Sequence, residues 1–418
     1  MLNKNGEREL AYVVKIDAIE PIIGSDNCEA AIVGGWRIMV RKNTFKPNDL
    51  AIYFEIDSKV DTTRPEFAFL EKKSGKIKTQ RYTFGGKGLM ISQGLLMAPE
   101  DFGWEQVENE DGHDPFIIDN KTGHCMMVDD ESRFLTKELG VTYSVEEDNS
   151  RKAASTDKYK KMAGRHPNLF KKPWARWMMK RQWGRKVMFF FFGKKKDKKT
   201  GWPAWVTKTD EERVQNMPWI LNDKSPWVAT EKIDGSSTTF TMKRGKKRLF
   251  GQDKNEFYVC SRNVVFDKPD KKCFYSTNIY IEMAEKYKVE SVLATYLELH
   301  PDVEWVTIQG ETYGEGVQKR DYSLKGHDFM AFNLIDSVRG RWNSVEAKNV
   351  CSTYGIPWVP ILDENFILPD TVDELLAIAT GESICDHGMR EGLVFRSQDG
   401  VKSFKAVSNE FLLKYHNG

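Results

Sequence analysis

Short apolar segments separated by Gly, Pro, Asn and Asp fill the first hundred residues, and their spacing restricts the fold more than any other feature. Between Glu9 and Pro99 they read "LAYVVKIDAIEPI", "CEAAIVGGWRIMVRK", "DLAIYFEID" and "SQGLLMAP". Runs of this length bounded by turn residues predict strands, and many short strands in succession are typical of a small β-barrel or sandwich. We therefore predict a small all-β domain over residues 1–105.

The second half of the sequence mixes two patterns. Strand-like runs ("STTFTM", "EFYVCS", "EWVTIQGETYG", "DFMAFNLID", "GLVFRS") alternate with helical ones ("TNIYIEMAEKYKVESVLATYLEL", "TVDELLAIAT", "SNEFLLKYH"). This mixture predicts an α+β domain built on antiparallel sheets over residues 203–418. A chain of 418 residues is also longer than one hydrophobic core comfortably supports, which agrees with several domains.

Residues 106–202 are expected to form a connector or insertion that is acidic at first, with a helix near "ESRFLTKELG", and then basic. Arg151 to Lys208 holds 19 Lys or Arg against two acids, although the whole chain has a net charge of only +2. Trp174, Trp177 and Trp183 lie among these cations at helical spacing. Two interpretations are equally supported: a surface that contacts RNA phosphates and stacks bases, or a helix that packs its tryptophans on a neighbouring domain.

Cysteine usage and hydropathy indicate the compartment. The six cysteines form no Cys-x-x-Cys pair and no zinc-type grouping with His, as expected in a reducing environment. The first residues lack the apolar core of a signal peptide, and the longest apolar run, "VMFFFFG", is too short to cross a bilayer. We expect a cytoplasmic protein without a membrane span.

The run "ATEKIDGSSTTFTM", Ala229 to Met242, places Lys232 two residues before an Asp-Gly pair. One interpretation is a hairpin whose lysine points into water. The other is a nucleophile held at a strand end, which requires that burial or a neighbouring cation lowers the pKa of the lysine. Asp234 and Gly235 are expected to shape the turn by adopting unusual backbone angles.

Further chemical groups follow Lys232 in a fixed order. They are Arg262 in "CSRN", Glu311 in "QGETYG", Phe332 in "MAFNL", Glu391 in "EGLVFRS", and Lys402 and Lys405 in "VKSFKA". Taken singly, each of these has a plain structural explanation as a surface, ion-paired or core residue. Their joint order resembles that of the covalent nucleotidyltransferases, which include ATP-dependent RNA and DNA ligases and mRNA capping enzymes.

The flanking sequence narrows this resemblance. "KTDEERVQN" before the lysine, "TEKIDGSST" around it and "SFKAVSNEFLLK" near the end are similar to RNA ligases that carry an N-terminal OB domain, as is "GWRIMVRKNTFKPNDLAIYFEIDSKV" in the first domain. The resemblance implies a nucleotidyltransferase domain of α+β class, built on antiparallel sheets with helices and preceded by a small all-β OB-like barrel. For Trp36, Arg37 and Arg81 of that barrel, a structural role is as well supported as contact with a nucleic-acid strand.

The resemblance also implies a role for each residue. Lys232 would attack the α-phosphate of ATP and hold AMP as a phosphoramidate, in a site to which Glu231 and Asp234 also belong. Arg262 would bind phosphate or ribose, Glu311 the ribose, and Phe332 the adenine ring. Glu391 would hold Mg²⁺ or Mn²⁺ through water. Lys405 and Lys402 would offset charge on the transferring phosphoryl group.

The chain departs from the family at one point. Many RNA ligases have Lys-x-Lys in the last motif, whereas this sequence has Val407 two residues after Lys405. The sequence therefore does not decide whether Lys402 belongs to this motif. The expected activity is sealing of a 5′-phosphate RNA end to a 3′-hydroxyl end, at nicked or bridged duplexes, by a monomer. The alternatives are an mRNA-capping-type guanylyltransferase that uses GTP, and a nucleic-acid-binding protein whose nucleotidyltransferase site has decayed.

Overall fold

The computed structural model describes residues 1–84, 88–108, 114–143, 202–248, 251–252, 254–266, 275 and 277–416, with 172, 175 and 178. Residues 1–144 and 205–418 form one compact unit, and residues 145–204 form a second. All contacts reported below belong to the first unit. Trp174, Trp177, Trp183 and nearly all of the basic block lie outside the described residues, so their two interpretations stay predictions.

The strands of the N-terminal part are β1 (Ala11–Lys15), β2 (Ala18–Pro21), β3 (Cys28–Val33), β4 (Trp36–Arg41), β5 (Leu50–Phe54), β6 (Ser58–Lys59), β7 (Gln80–Phe84), β8 (Gly88–Ser92), β9 (Leu95–Met97), β10 (Glu105–Val107), β11 (Phe116–Asp119), β12 (His124–Met126) and β13 (Thr142–Tyr143). Short 3₁₀ helices span Pro65–Lys73, Pro99–Phe102 and Glu131–Arg133.

The strands of the C-terminal part are β14 (Trp227–Lys232), β15 (Ser236–Lys243), β16 (Lys247–Arg248), β17 (Gly251–Gln252), β18 (Glu256–Ser261), β19 (Val265–Phe266), β20 (Trp305–Gly314), β21 (His327–Asp336), β22 (Gly340–Arg341), β23 (Ile361–Phe366), β24 (Gly392–Ser397) and β25 (Ser403–Val407). The helices are α1 (Ile279–Lys286), α2 (Val289–Leu299), α3 (Ser344–Thr353), α4 (Val372–Ala379) and α5 (Asn409–Phe411), with 3₁₀ turns at Val214–Asn216 and Pro218–Asn222 and a π-helical turn at Leu412–His416.

The N-terminal part is all-β, as predicted. Its antiparallel sheets run β1-β5-β9, β2-β3-β4 and β7-β8, and strand β5 is buried along its whole length. Ile117, Met126 and Leu135 bury their side chains in the same core as Val13 and Ile52 of β1 and β5. The described residues of 114–143 therefore contribute to the core of the N-terminal part.

Two antiparallel sheets form the C-terminal part. One has the order β23-β14-β24-β25, and the other has the order β19-β18-β15-β20-β21-β22. Helices α1 and α2 pack on the six-stranded sheet, and α4 packs on the four-stranded sheet. Because β14 and β15 belong to different sheets, the structure excludes the hairpin interpretation of this run, and the segment with Asp234 and Gly235 passes from one sheet to the other.

The helix predictions hold in part. The helices expected at 371–380 and 408–416 are present, and the long run at 277–299 is two helices, because Lys288 adopts a left-handed backbone angle (φ 48°) between them. The helix expected near 131–140 is wrong, since only a 3₁₀ turn forms there. Helix α3 was not predicted, although Asn343 caps its N-terminus through its side chain.

No helix in the described ranges has both the length and the apolar character needed to cross a bilayer.

Candidate active site

The register of two neighbouring strands places Lys232 beside Glu391. Lys232 ends β14 and pairs with Gly392, the first residue of β24, so that Glu391 lies just ahead of the paired position. The Nζ atom of Lys232 donates a hydrogen bond to Oε2 of Glu391 at 2.8 Å. The two side chains are 24% and 10% exposed, so this ion pair is largely shielded from water but can be reached from one side.

Two more carboxylates lie near this pair. Glu311 on β20 of the six-stranded sheet and Asp234 in the crossing segment both interact electrostatically with Lys232. Burial raises the pKa of Glu311 to about 8, because the attraction of Lys232 does not compensate for lost hydration and Glu391 adds repulsion. Burial and the charge of Glu391 likewise raise the pKa of Asp234 to about 7. Glu391, Glu311 and Asp234 thus provide more carboxylate than Lys232 alone neutralises.

Lys232 itself is more basic than a free lysine. Burial alone would lower its pKa, but the charges of Glu391 and Glu311 and the hydrogen bond to Glu391 outweigh burial and raise it. The predicted lowering of this pKa is therefore wrong. The error arose because the carboxylates come from β20 and from the start of β24, far from Lys232 in sequence.

The donor atoms fit a hard divalent cation. Oδ2 of Asp234 is buried and has no hydrogen-bond partner within the described structure. Carboxylate oxygens are the ligands that Mg²⁺ and Mn²⁺ prefer. In the described part of the chain, no group of three or more His, Cys, Asp and Glu side chains is arranged to hold an ion by itself. The carboxylates of Glu391 and Asp234 are the groups that would hold such an ion.

Gly235 is required by close packing. A Cβ atom added at this position would lie 2.4 Å from the carbonyl oxygen of Thr312 and 2.9 Å from Cγ of Glu311. Gly235 is not among the residues with positive φ, so the expected unusual backbone angle is wrong. The glycine instead lets the segment after Lys232 approach β20, which brings Glu311 to the site.

Phe332 lies at a β-bulge of the six-stranded sheet. Gln309 pairs with Asn333 and Gly310 pairs with Ala331, so Phe332 has no partner on β20. A bulge redirects a side chain relative to regular strand alternation. Phe332 is half-buried, and the guanidinium of Arg396 lies 5.5 Å from its ring centroid. Its proposed stacking on adenine stays a prediction.

Lys405 shares a sheet face with Lys232. Gly392 pairs with both Lys232 and Val407, and Val394 pairs with both Thr230 and Lys405. Because directly paired residues project to the same side, Lys232, Lys405 and Val407 emerge from one face of the sheet. Burial, with the charges of Arg8, Arg213 and Lys232, lowers the pKa of Lys405 to about 8, although Asp210 opposes this change.

Two of the predicted site residues are not brought to this cluster. Glu231 alternates with Lys232 along β14 and points to the opposite face, where its carboxylate accepts hydrogen bonds from the Ser383 hydroxyl and the Ile384 amide. Lys402 precedes β25, is about half exposed and pairs with Asp223 at 3.0 Å. Of the two C-terminal lysines, only Lys405 lies near Lys232.

Asp210 is the main polar residue that sequence reasoning missed. Its carboxylate accepts hydrogen bonds from Lys405 at 3.1 Å and from Arg262, and it lies 3.4 Å from Arg8. It belongs to "KTDEERVQN", which carried the resemblance without any residue being assigned from it. The sequence did contain a signal for Asp210: three consecutive acidic residues followed by Arg213, in a segment shortly before Lys232.

Tyr322 was also missed. Its hydroxyl accepts a hydrogen bond of 2.6 Å from the Asp234 amide, and its ring lies under the Arg320 guanidinium at 4.0 Å. Tyr322 and Ser323 have positive φ angles of 53° and 56°, which non-glycine residues rarely adopt. The loop after β20 thus supports the segment that follows Lys232.

The three OB-domain residues considered for strand contact have partners within the protein. Trp36 is buried and donates from Nε1 to Asn216 at 2.6 Å. Arg81 pairs with Glu410 at 2.7 Å, and Arg37 pairs with Glu20. Trp36 therefore has a structural role between the barrel and the segment that precedes β14.

The sequence and the structure both match known proteins. Residues 225–416 match the family model described as RNA ligase, and residues 10–98 match a model described as an OB-fold domain. Among proteins with curated descriptions, none matches this sequence.

Several solved structures of the Naegleria gruberi RNA ligase are similar over nearly the whole chain. The structure with PPi has a TM-score of 0.66 at 25% identity and covers 99% of this chain and 100% of that chain. A glutamate-to-alanine mutant with AMP and Mn has a TM-score of 0.66 at 25% identity, covering 98% and 100%. An arginine-to-alanine mutant with ATP and Mn has a TM-score of 0.67 at 26% identity, covering 98% and 100%.

These matches confirm the predicted fold class, with an OB-fold domain ahead of an α+β domain of antiparallel sheets. The resemblance to RNA ligases that the motif order predicted is confirmed over residues 225–416, which match the RNA ligase family model.

Proposed function

We propose that this protein is an ATP-dependent RNA ligase that forms a lysyl-AMP intermediate, transfers AMP to a 5′-phosphate end and seals that end to a 3′-hydroxyl end. The proposal rests on the close approach of Lys232, Glu391 and Glu311, which come from the two sheets. The similar Naegleria gruberi ligase has been solved with ATP and Mn and with AMP and Mn, which supports ATP as the nucleotide substrate and a divalent cation as cofactor.

In the first step, Nζ of Lys232 attacks the α-phosphorus of ATP. A P–N bond forms, the bond to the bridging oxygen of pyrophosphate breaks, and pyrophosphate leaves. Because Lys232 is held as an ammonium, it must lose a proton before it attacks, and Oε2 of Glu391 at 2.8 Å is the nearest base. A divalent cation beside Glu391 would offset negative charge both on that carboxylate and on the ATP phosphates.

Other residues of this chain orient the nucleotide. We assign Lys405 to the charge that develops on the transferring phosphoryl group, because it shares a sheet face with Lys232. Glu311 is assigned to the ribose, Phe332 to adenine and Arg262 to phosphate. Asp234 keeps its assignment to the site, because its buried Oδ2 atom has no hydrogen-bond partner within the described structure. Glu231 lies on the other side of β14 and binds the loop at 383–384 instead.

The two later steps act on RNA. An oxygen of the 5′-phosphate attacks the lysyl-AMP phosphorus, which restores Lys232 and gives a 5′-5′ pyrophosphate linkage. The 3′-hydroxyl oxygen then attacks the 5′-phosphorus and releases AMP. Both displacements require that two ends be held in line, and OB-fold domains commonly bind nucleic acid. We propose nicked or bridged duplex RNA as the substrate.

We also propose that the enzyme is a monomer that works in the cytoplasm. The five cysteines in the described ranges are all free thiols, and two of them, Cys260 and Cys351, are buried. Free thiols agree with a reducing compartment. Size-exclusion chromatography with light scattering would test the monomer, because a stable dimer mass would contradict it.

Intact mass measurement tests the first step directly. The purified protein is stripped of bound AMP with pyrophosphate, incubated with ATP and a divalent cation, and compared with Lys232→Ala. We expect the parent to gain the mass of one AMP and the variant to gain none. No gain with Mg²⁺ or Mn²⁺ would reject the ligase and favour a binding protein with a decayed site.

The guanylyltransferase alternative is tested by the same measurement with GTP. An adduct with GTP but not with ATP would replace the ligase by a capping-type enzyme. Sealing of a labelled nicked RNA duplex by a protein that also forms the ATP-dependent AMP adduct would establish all three steps.

A further inference from the structure

We propose that Asp210 is a positioning residue that holds the Lys405 and Arg262 side chains together and ties them, through Arg8, to the OB-fold domain. The inference deepens the proposed function and rests on it, because it assigns a device that orients the phosphate-binding cations for lysine adenylylation. Asp210 does not touch Lys232 and is not proposed to react.

One carboxylate serves three cations from three parts of the chain. Oδ1 of Asp210 accepts from Nζ of Lys405 on β25 at 3.1 Å, and Oδ2 accepts from the guanidinium of Arg262 just after β18. Arg8 approaches Asp210 at 3.4 Å from the segment that precedes β1. Asp210 is about 10% exposed, so water screens these contacts only weakly.

The OB-fold domain is connected through Arg8. Its guanidinium also pairs with Glu55 at 3.1 Å, and Glu55 is buried just after β5. Glu55 accepts further hydrogen bonds from Tyr12 at 3.0 Å and Asn216 at 3.0 Å. A continuous chain of polar contacts therefore runs from the core of the barrel to Lys405.

The backbone fixes Asp210 in this place. The amide of Lys405 donates to the carbonyl of Glu212 at 2.8 Å, and Arg213 forms a parallel bridge with Lys405. This backbone contact holds the segment that carries Asp210 against β25, three residues from the bridge at Arg213.

The charges around Lys405 explain why a carboxylate is needed. Arg8, Arg213 and Lys232 all act to remove its proton, and burial does so more strongly, whereas Asp210 favours the ammonium. Glu211 of the same segment is directed instead to Arg396, Arg341 and Ser403. Asp210 is therefore the carboxylate that keeps the Lys405 ammonium charged and aimed, which its proposed task on the phosphoryl group requires.

The test is the pH dependence of the single-turnover rate of AMP transfer to Lys232. A protonated Lys405 is required, so the rate of the parent falls as pH rises through the pKa of Lys405, about 8. We call this fall of the rate the alkaline limb of the pH–rate profile. Asp210→Asn removes the group that favours the ammonium, so the alkaline limb should move to lower pH by about one unit. Arg8→Gln removes a repelling cation, so the limb should move to higher pH.

Opposite shifts in these two variants are the diagnostic result, because a general loss of structure would not move a titration in two directions. Glu346→Gln is the control, because Glu346 is an exposed carboxylate that pairs with Arg339, and the alkaline limb of this variant should stay at the parent position. If Asp210→Asn fails to fold, Arg8→Gln still decides, since an unchanged or downward shift overturns the proposal.

The outcomes also separate this inference from the proposed function. A parent protein that forms no lysyl-AMP overturns the proposed function, and the inference falls with it. A parent that forms lysyl-AMP, while Asp210→Asn and Arg8→Gln both keep its alkaline limb, overturns the inference alone.

Discussion

Lys232 donates a 2.8 Å hydrogen bond to Glu391, although 158 residues separate them in the chain, because antiparallel pairing sets Lys232 opposite Gly392. This contact favours the ammonium form of the proposed nucleophile. The same carboxylate is the nearest base and the proposed partner of a divalent cation, so its removal should affect the chemistry more than the fold.

Glu391→Gln should therefore slow lysine adenylylation by about 100-fold or more, while leaving the folded state intact. The amide cannot accept the proton of Lys232 and is a weaker partner for a cation. Rapid-quench measurement of AMP transfer gives the rate, and circular dichroism checks the fold. Glu410→Gln is the matched control, since Glu410 pairs with Arg81 on an exposed surface. A rate for Glu391→Gln within threefold of the parent would contradict the assignment.

The carboxylate cluster predicts a pH-dependent stability. Glu311 has a folded-state pKa of about 8, above its ordinary value of 4.5, so the folded protein binds this proton more tightly than the unfolded chain does. The resulting stabilisation is complete below about pH 4.5 and is lost as pH rises through 8. Glu311→Gln should flatten the decline of the urea midpoint between pH 5 and pH 8, measured without nucleotide or metal. A variant whose decline is as steep as that of the parent would show that Glu311 is ionised in the folded protein.

Much of the C-terminal fold could be predicted from local pattern. The strands at Glu256–Ser261 and Gly392–Ser397 lie where "EFYVCS" and "GLVFRS" stand in the sequence, because short apolar runs between turn residues have few other structures. The order of Lys232, Glu311 and Glu391 likewise indicated one site. Order along the chain carried this information because it is similar to the motif order of the covalent nucleotidyltransferases that the sequence resembles.

The parts of the fold and of the site that could not be predicted depend on pairing between distant strands. Local sequence does not show that β14 and β15 join different sheets, so a hairpin at Asp-Gly stayed one of two interpretations. It does not show which of Lys402 and Lys405 faces Lys232, since strand register decides that. Asp210 was missed for the same reason, because its three cationic partners come from segments far apart in the chain.

Gly235→Ala should disable the site by a steric effect. The new Cβ atom would meet the Thr312 carbonyl at 2.4 Å, and backbone on both sides must separate to admit it. We expect a loss of about 1–3 kcal/mol in the free energy of unfolding and a larger fractional loss of adenylylation, because Glu311 moves away from Lys232. Gly381→Ala is the control, since its Cβ would meet only the end of the Arg390 side chain, at 3.0 Å. Equal effects of both substitutions in urea titrations and rate measurements would reject the argument.

Val407→Lys should not improve the enzyme, even though it creates the Lys-x-Lys pattern of the ligases that the sequence resembles. Val407 is 1% exposed and belongs to a core cluster with Tyr12 and Leu412. An ammonium at this position would lose its hydration, at a cost of about 3 kcal/mol in the free energy of unfolding. Val407→Ile keeps the apolar character and should cost about 1 kcal/mol. A Val407→Lys protein with parental stability and faster adenylylation would show that this position belongs to the catalytic site.

The basic block offers a test that needs no structural assumption about it. Replacing Lys194, Lys195, Lys196, Lys198 and Lys199 by Ala removes five charges from one stretch. If these lysines neutralise RNA phosphates, the slope of log affinity against log salt should become shallower by about 0.7–0.9 for each lost contact. Lysine adenylylation should keep its parental rate, because that step needs no RNA.

Fluorescence anisotropy with a labelled nicked duplex at several salt concentrations measures the slope. The control is Lys121→Ala with Lys348→Ala, both at exposed positions, which tests for a general effect of charge loss. An unchanged slope in the five-lysine variant would leave packing of the nearby tryptophans as the explanation of this segment.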